Sequence, residues 1–201
     1  MHLIDAVRGP LTAVSLLVLS LYLPLAAMIY TPQWYTFQCD WIEKCRTAEH
    51  FEPRAAAEEL TAFFRHDGEL EEQPWSDKEK RHLTEVRGIW DGLAVTALIF
   101  AMILVFLFRI RVASRAALIN AVVLVVLAAG VLPFFKTFWV DFLHPLVFDN
   151  DLWSNSREDL SWYFLPKPFF RSSIAAMVGT AIALNLALAW LLRPRRRGLF
   201  R

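Results

Sequence analysis

Two histidines, His82 in the stretch HLTEV and His144 in the stretch FLHPL, are the side chains of this sequence best suited to chemistry. Histidine takes up and releases a proton near neutral pH, so one imidazole can act as a general base and a second as a general acid. Carboxylates that could fix a tautomer or raise a pKa follow or precede them closely: Glu85, Asp141, Asp149 and Asp151. The residue types therefore indicate proton transfer as the chemistry of this chain.

The sequence lacks the signatures of several other catalytic chemistries. It contains no G-x-S-x-G nucleophile elbow and no H-E-x-x-H zinc motif. The two histidines and the carboxylates do not have the tight spacing of metal ligands, so we expect no metal and no other cofactor. An enzyme built on these residues would use general acid–base catalysis without a covalent intermediate.

Long apolar runs supply the elements that could position these histidines. Of the 201 residues, 56% are hydrophobic, and they are concentrated in a few runs instead of being spread with the period of a soluble helix or strand. About 20 apolar residues cross the hydrocarbon core of a bilayer as a helix. The sequence therefore predicts an all-α integral membrane protein, a single membrane domain over residues 1–201, with four transmembrane helices. The predicted spans are residues 11–30, 90–109, 116–135 and 172–192, and the extracytoplasmic loops are residues 31–89 and 136–171.

The distribution of arginine predicts the orientation of these spans. If both termini are cytoplasmic, the inner segments are residues 1–10, 109–115 and 193–201, which together hold nine arginines and a single acid, Asp5. Because short segments rich in arginine stay on the cytoplasmic side, we expect both termini inside and both long loops outside. The basic tail RPRRRGLFR is explained as a topology signal that contacts lipid headgroups, so we expect no nucleic-acid partner.

The middle of the first outer loop predicts an interfacial helix. Leu60, Phe63 and Phe64 form an apolar stripe at helical spacing within residues 54–65. Such a stripe fits a helix that lies along the membrane surface. We expect the helix to end near Gly68, which can adopt the left-handed conformation.

A further helix is predicted to begin at Ser76, because Ser76 and Glu79 have the spacing of a capping box. It would run directly into the second span and carry His82 and Glu85 on one face. His144 follows the third span, which is antiparallel to the second. The outer ends of these two spans could therefore bring the two histidines together.

The two cysteines of the chain, Cys39 and Cys45, both fall in the first outer loop. Two thiols in an extracytoplasmic segment most simply form a disulfide, and a local structural disulfide is our interpretation. A redox-active pair is the alternative, although the spacing is not the C-x-x-C of such sites.

Two blocks of the sequence resemble a known family. The segment SDKEKRHLTEVRGIW, and the segment FLHPLVFDNDLW followed by DLSWYFLPKPFF, are similar to the signature regions of the lipoprotein intramolecular transacylases. These are small bacterial membrane proteins with four spans. The blocks cover residues 76–90 and 142–170, in the family's order and on the same predicted topology.

The resemblance implies an activity, partners and a location. Members of the family move the sn-2 acyl chain of a diacylglyceryl-cysteine onto the α-amino group of that cysteine, which gives a lyso-form lipoprotein. The implied partners are bacterial lipoproteins and membrane lipids. The implied location is the bacterial cytoplasmic (inner) membrane, with the active site facing outward. Two histidines carry the activity in the family, and the matching positions here are His82 and His144.

Within that reaction the residues suggest individual roles. An α-amino group titrates near pH 8, so a base as weak as histidine can activate it. We assign His144 as the base and His82 as the acid or oxyanion partner, with exchanged roles as the alternative. Further residues are candidates for contact with substrate or oxyanion: Glu85, Arg87, Asp149, Asn150, Asp151 and Trp153.

Two other classes of function are compatible with the sequence. A non-catalytic membrane partner would use the outer loops as docking surfaces, and neither histidine would then be needed. A thiol–disulfide membrane oxidoreductase would use Cys39 and Cys45, but the second outer loop contributes no cysteine.

Overall fold

The computed structural model describes residues 2–71 and 74–193, and all regular structure within them is helical. A short 3-10 turn, Leu132–Phe134, and a π-helix, Thr137–Leu143, lie between the sixth and seventh α-helices. The α-helices of the described chain are α1 (His2–Ile29), α2 (Pro32–Trp41), α3 (Glu43–Arg46), α4 (Pro53–Phe64), α5 (Asp77–Leu107), α6 (Ile110–Val131), α7 (His144–Val147), α8 (Ser161–Phe164) and α9 (Lys167–Leu191).

Four of these helices, α1, α5, α6 and α9, contain segments long and apolar enough to cross a membrane. The segments are Val7–Ile29, Asp77–Leu107, Ile110–Phe134 and Lys167–Leu191. The predicted all-α membrane protein with four spanning helices is thereby confirmed. The turn between α5 and α6 is shorter than predicted, because Arg111 and Arg115 already belong to α6. Residues 194–201, which contain most of the predicted basic tail, lie outside the described residues.

The chain divides into two compact units, of which the first is a helical bundle. This bundle unit consists of Met1–Pro24, Ala94–Ala129 and Met177–Arg201. Its small cluster of buried apolar residues is formed by Leu16, Ala113, Ala116 and Ala117. Without water to drive apolar association, spanning helices pack through small residues and through hydrogen bonds between helices.

Asparagine side chains supply such hydrogen bonds in the bundle unit. The Asn120 amide nitrogen on α6 donates to the carbonyl of Ala13 on α1 at 2.9 Å. The Asn185 amide nitrogen on α9 donates to the hydroxyl of Ser20, also on α1, at 2.8 Å. Both asparagines are buried. Each bond thus joins two helices where bulk water cannot compete for the donor.

The second unit, the loop unit, consists of Leu25–Leu93 and Gly130–Ala176. It has a true hydrophobic core, to which both predicted outer loops contribute. The apolar stripe predicted on α4 is part of this core, since Leu60, Phe63 and Phe64 are only 0, 2 and 4% exposed. The other large core residues include Tyr35, Trp75, Leu83, Leu160, Phe164 and Phe169.

The predicted disulfide is confirmed: Cys39 of α2 is bonded to Cys45 of α3. Both cysteines belong to the core of the loop unit and are 4 and 1% exposed. The bond therefore fixes the turn between two short helices from the inside of the unit.

The prediction that α4 ends near residues 66–69 is confirmed, since the helix ends at Phe64, but the predicted left-handed Gly68 is wrong, because His66 takes that conformation with φ of 61°. The amide of Asp67 donates to the carbonyl of Ala62 at 2.9 Å, and the amide of His66 donates to the carbonyl of Phe63 at 3.1 Å. This is a Schellman cap, in which the left-handed residue directly follows the cap residue. The imidazole of His66 contacts the carboxylate of Asp91 at 3.1 Å, which helps to offset the conformational cost.

The predicted start of α5 is confirmed. The amide of Ser76 donates to a carboxylate oxygen of Glu79 at 2.9 Å, and the amide of Glu79 donates to the hydroxyl of Ser76 at 3.3 Å. This is the reciprocal pattern of a capping box. The helix then continues without interruption to Leu107, so its first turns form part of the loop unit.

Candidate active site

His82 lies in the second turn of α5 and is paired with a carboxylate on the same helix. Its Nδ1 lies 3.5 Å from Oε2 of Glu85, three residues further on. The side chain of His82 is mostly buried, whereas that of Glu85 is partly exposed. Because a carboxylate only accepts hydrogen bonds, this arrangement favours the tautomer with the proton on Nδ1. The Nε2 atom of neutral His82 then presents its lone pair.

His144 follows directly on the π-helix Thr137–Leu143. The ring of Pro145 crowds the carbonyl one turn before it, and a widened turn relieves such crowding. In the resulting geometry the carbonyl of Trp139 accepts from both the backbone amide and the Nδ1 atom of His144. Since a carbonyl cannot donate, Nδ1 carries the proton and Nε2 is available as a base.

The surroundings of His144 keep it neutral. Burial lowers the pKa of the His144 imidazole, and the hydrogen bond to the Trp139 carbonyl offsets part of that decrease. A histidine with a lowered pKa is unprotonated at neutral pH and can accept a proton at once.

A phenylalanine lies against both histidines. The ring centroid of Phe148 is 4.8 Å from that of His82 and 5.8 Å from that of His144. Two tryptophans complete the aromatic surroundings of His144, with Trp153 at 4.7 Å and Trp139 at 4.9 Å. The two histidines thus lie in one aromatic cluster of the loop unit, although they are 62 positions apart in the sequence.

Asn150 joins the loop that carries His144 to the helix that carries His82. Its Nδ2 donates to Oε1 of Glu85 at 2.8 Å, and its Oδ1 accepts from the amide of Leu152 at 3.0 Å. Glu85 therefore contacts Asn150 with one oxygen and faces His82 with the other.

The other predicted site residues are placed differently. Arg87 contacts α4, where its guanidinium donates to the carbonyl of Phe63 at 3.3 Å and lies 4.0 Å from the centre of the Phe63 ring. Asp149 and Asp151 are exposed. Trp153 lies in the aromatic surroundings of His144, as given above.

A largely buried polar network between the first turn of α5 and the second loop was not predicted from the sequence. Both the amide and the hydroxyl of Ser161 donate to Oε1 of Glu79 at 2.6 Å, and Glu79 is only 2% exposed. The ammonium of Lys78 lies 2.6 Å from a carboxylate oxygen of Asp159. The capping-box spacing predicted that Glu79 belongs to the start of a helix. No feature of the sequence predicted its contact with Ser161, which lies 82 positions further along the chain.

The charge of Asp159 is stabilised within this network. Burial raises the pKa of Asp159, but hydrogen bonds from Lys78, Ser156 and Ser76 outweigh that effect and leave the pKa below its usual value. The network fastens the loop after His144 to the first turn of α5.

Two further histidines of the loop unit lie apart from these contacts. His50 packs edge-on against Tyr163, with ring centroids 4.3 Å apart, and His66 contacts Asp91. Within residues 2–71 and 74–193, no group of three or more His, Cys, Asp or Glu side chains could hold a metal ion.

The fold defines a helical integral membrane protein, and the two histidines form a candidate acid–base site in its loop unit. The family model for the lipoprotein intramolecular transacylase Lit matches residues 11–170. The chain therefore belongs to this family of membrane acyltransferases, which confirms the family and the enzyme class predicted from the sequence.

Solved structures of one relative show the same fold. The lipoprotein intramolecular transacylase Lit from Bacillus cereus has a TM-score of 0.79 and 19% identity to this chain, with 96% of each chain covered. A variant of that protein with one histidine replaced by arginine has a TM-score of 0.73 and 18% identity, and covers 94% of this chain and 90% of its own. A variant with the same histidine replaced by alanine has a TM-score of 0.72 and 18% identity, with 94 and 92% covered. No curated protein sequence matches the chain.

Proposed function

We propose that this chain transfers the sn-2 acyl chain of a lipoprotein's diacylglyceryl-cysteine to the α-amino group of the same cysteine. Membership of the transacylase family supports the reaction class. The observation that carries the assignment of the site is the meeting of His82 and His144 at the ring of Phe148. Nδ1 of His144 donates to the Trp139 carbonyl and Nδ1 of His82 faces the Glu85 carboxylate at 3.5 Å, so each imidazole can use Nε2 for proton transfer.

In the proposed reaction His144 is the base. The α-amino nitrogen attacks the carbonyl carbon of the ester and gives up a proton to Nε2 of His144. The new amide bond forms as the bond to the glyceryl oxygen breaks, and that oxygen takes up a proton. His82 takes up a proton at Nε2 while its Nδ1–H faces Glu85, and the imidazolium formed in this way supplies the proton to the glyceryl oxygen or a hydrogen bond to the oxyanion.

The arrangement of the substrate explains why no acyl-enzyme is needed. Donor ester and acceptor amine belong to one molecule, so correct orientation alone supplies a large part of the rate. The rings of Phe148, Trp139 and Trp153 make the surroundings of His144 apolar, and in the proposed reaction this disfavours competing hydrolysis of the ester.

We further propose that the protein lies in the bacterial cytoplasmic membrane with both termini inside and the site facing outward. The short inner segments, rich in arginine, support this orientation. Membrane lipids and bacterial lipoproteins would then reach the site from the outer leaflet. The buried disulfide acts as a structural bond in this reading, because neither sulfur is exposed to a redox partner.

The proposal is tested by mass spectrometry of a lipoprotein's N-terminal peptide. The lipoprotein comes from a bacterium that makes only diacylglyceryl lipoproteins, expressing this protein, the His144→Ala variant or the matched control His50→Ala. We expect an unchanged number of acyl chains with one chain moved to the amine in the wild type and in the control. The His144→Ala variant should leave both chains on the glyceryl group. An unmodified amine despite wild-type protein in the membrane would contradict the proposed substrate.

A further inference from the structure

We propose that Asn150 is a positioning residue that holds Glu85 in place beside His82. The hydrogen bond from Asn150 to Glu85 also joins α5, which carries His82, to the loop that follows His144. The proposal rests on the proposed function, in which His82 takes part in proton transfer. It assigns to Asn150 a role other than the contact with substrate or oxyanion suggested by the sequence.

The contacts of Asn150 support this assignment. Its Oδ1 accepts from the amide of Leu152 at 3.0 Å, and this bond fixes which end of the side-chain amide faces α5. The Nδ2 atom then donates to Oε1 of Glu85 at 2.8 Å. A hydrogen bond to a carboxylate is about twice as strong as one between neutral groups, so it restricts the carboxylate to one orientation.

The orientation of Glu85 matters because its second oxygen faces His82. At 3.5 Å, the contact between Oε2 and Nδ1 of His82 is long and cannot by itself hold the carboxylate. The side chain of Glu85 is 37% exposed, so without Asn150 it could turn towards solvent. His82 would then lose the acceptor that keeps the proton on Nδ1 and the lone pair on Nε2.

The position of Asn150 in the chain gives the bond its second effect. Asn150 follows Phe148 by two residues, and Phe148 contacts both imidazoles. The charged or titratable groups that face His82 are Glu85 on its own helix and His144 on the loop. The hydrogen bond between Asn150 and Glu85 thus favours one tautomer of His82, and it adds a contact between loop and helix close to the histidines, apart from the contacts that Ser161 and Asp159 make with the first turn of α5.

The first test measures the kinetics of acyl transfer with a synthetic diacylglyceryl lipopeptide. In the Asn150→Ala variant, we expect kcat to fall about tenfold to a hundredfold, the loss expected when one hydrogen bond to a charged group is removed. We expect KM to stay unchanged, because Asn150 acts through Glu85 and not on the substrate. The control is Asn155→Ala, which changes a half-buried asparagine on the same loop and should keep both constants. A raised KM with unchanged kcat would make Asn150 a substrate-binding group and overturn the proposal.

The second test does not depend on activity. Nitrogen-15 chemical shifts of labelled histidine, assigned with His82→Ala, report which ring nitrogen of His82 carries the proton. We expect the Nδ1–H tautomer in the wild type and in Asn155→Ala, and a mixture of tautomers in Asn150→Ala. The nearly isosteric Asn150→Asp variant, which sets a carboxylate against Glu85, should also give a mixture, and it serves if Asn150→Ala does not fold.

The two tests separate the proposal from the function on which it rests. An active wild type with unaltered kcat and unaltered His82 signals in both Asn150 variants overturns the positioning role and leaves the transacylase intact. An inactive wild type contradicts the proposed function. In that case the tautomer signals alone decide: a change in the Asn150 variants supports the positioning role, and no change overturns it.

Discussion

Replacement of Glu79 should loosen the loop that carries His144 without touching either histidine. Glu79 is buried and accepts three hydrogen bonds, two from Ser161 at 2.6 Å and one from the amide of Ser76 at 2.9 Å. Ser161 belongs to the far end of the second loop and is 5% exposed. Loss of this acceptor leaves buried donors without a partner on both sides of the contact.

The size of the effect follows from the number of bonds lost. In Glu79→Gln the amide oxygen can still accept from Ser161, but the amide nitrogen faces the Ser76 amide, so one bond to a charged group is lost. This costs about 2 kcal/mol, which lowers the unfolding midpoint of a chain this size by roughly 4–8 °C. In Glu79→Ala all three donors lose their acceptor, and we expect a loss of about 3–6 kcal/mol.

The assay is thermal unfolding of the purified protein in detergent, followed by tryptophan fluorescence. Trp75, which is buried beside this network, makes the signal sensitive to the loop unit. The matched control is Glu58→Gln, because the carboxylate of Glu58 forms an exposed pair with Arg54 and such pairs contribute little. A Glu79→Gln midpoint equal to that of the wild type would refute the reasoning, since it would mean that the buried carboxylate contributes nothing.

Three further predictions concern the base, the disulfide and the bundle. Because burial lowers the pKa of His144, the base form is present at neutral pH and is lost only as the pH falls through this lowered value. The acid limb of the pH dependence of kcat/KM, which reports the free enzyme, should therefore have its midpoint below about 6.5, the value for an unperturbed histidine, and a midpoint above it would contradict the lowered pKa. Replacement of both Cys39 and Cys45 with serine should lower the free energy of unfolding by about 2 kcal/mol, which is the entropy of closing so short a loop. At temperatures below the unfolding midpoint, kcat should stay unchanged. Lost activity in the folded double variant would instead point to a redox role. Replacement of Asn185 with leucine should destabilise the bundle by about 1 kcal/mol, because its bond to Ser20 joins α9 to α1, and an unchanged midpoint would count against that bond.

The elements of this protein could be predicted because their causes are local. A span is recognisable from about 20 consecutive apolar residues, and the start of α5 from two residues three positions apart. The disulfide required only two cysteines close together in one loop. The end of α4 could not be fixed to the residue in the same way, because His66 took the left-handed position that glycine usually occupies and gained a contact with Asp91.

The candidate histidines could also be named from the sequence, since their residue type and their order relative to the spans limited the choice. What only the tertiary structure decided is how they are held. Phe148 meets both imidazoles, Asn150 reaches Glu85 across 65 positions, and Ser161 reaches Glu79 across 82. Such contacts depend on the path of a loop and on the packing of a core made from distant segments. The periodicity of hydrophobic residues and the spacing of motifs report on local structure within a few turns of a helix. They therefore cannot predict contacts between segments that are far apart in the sequence.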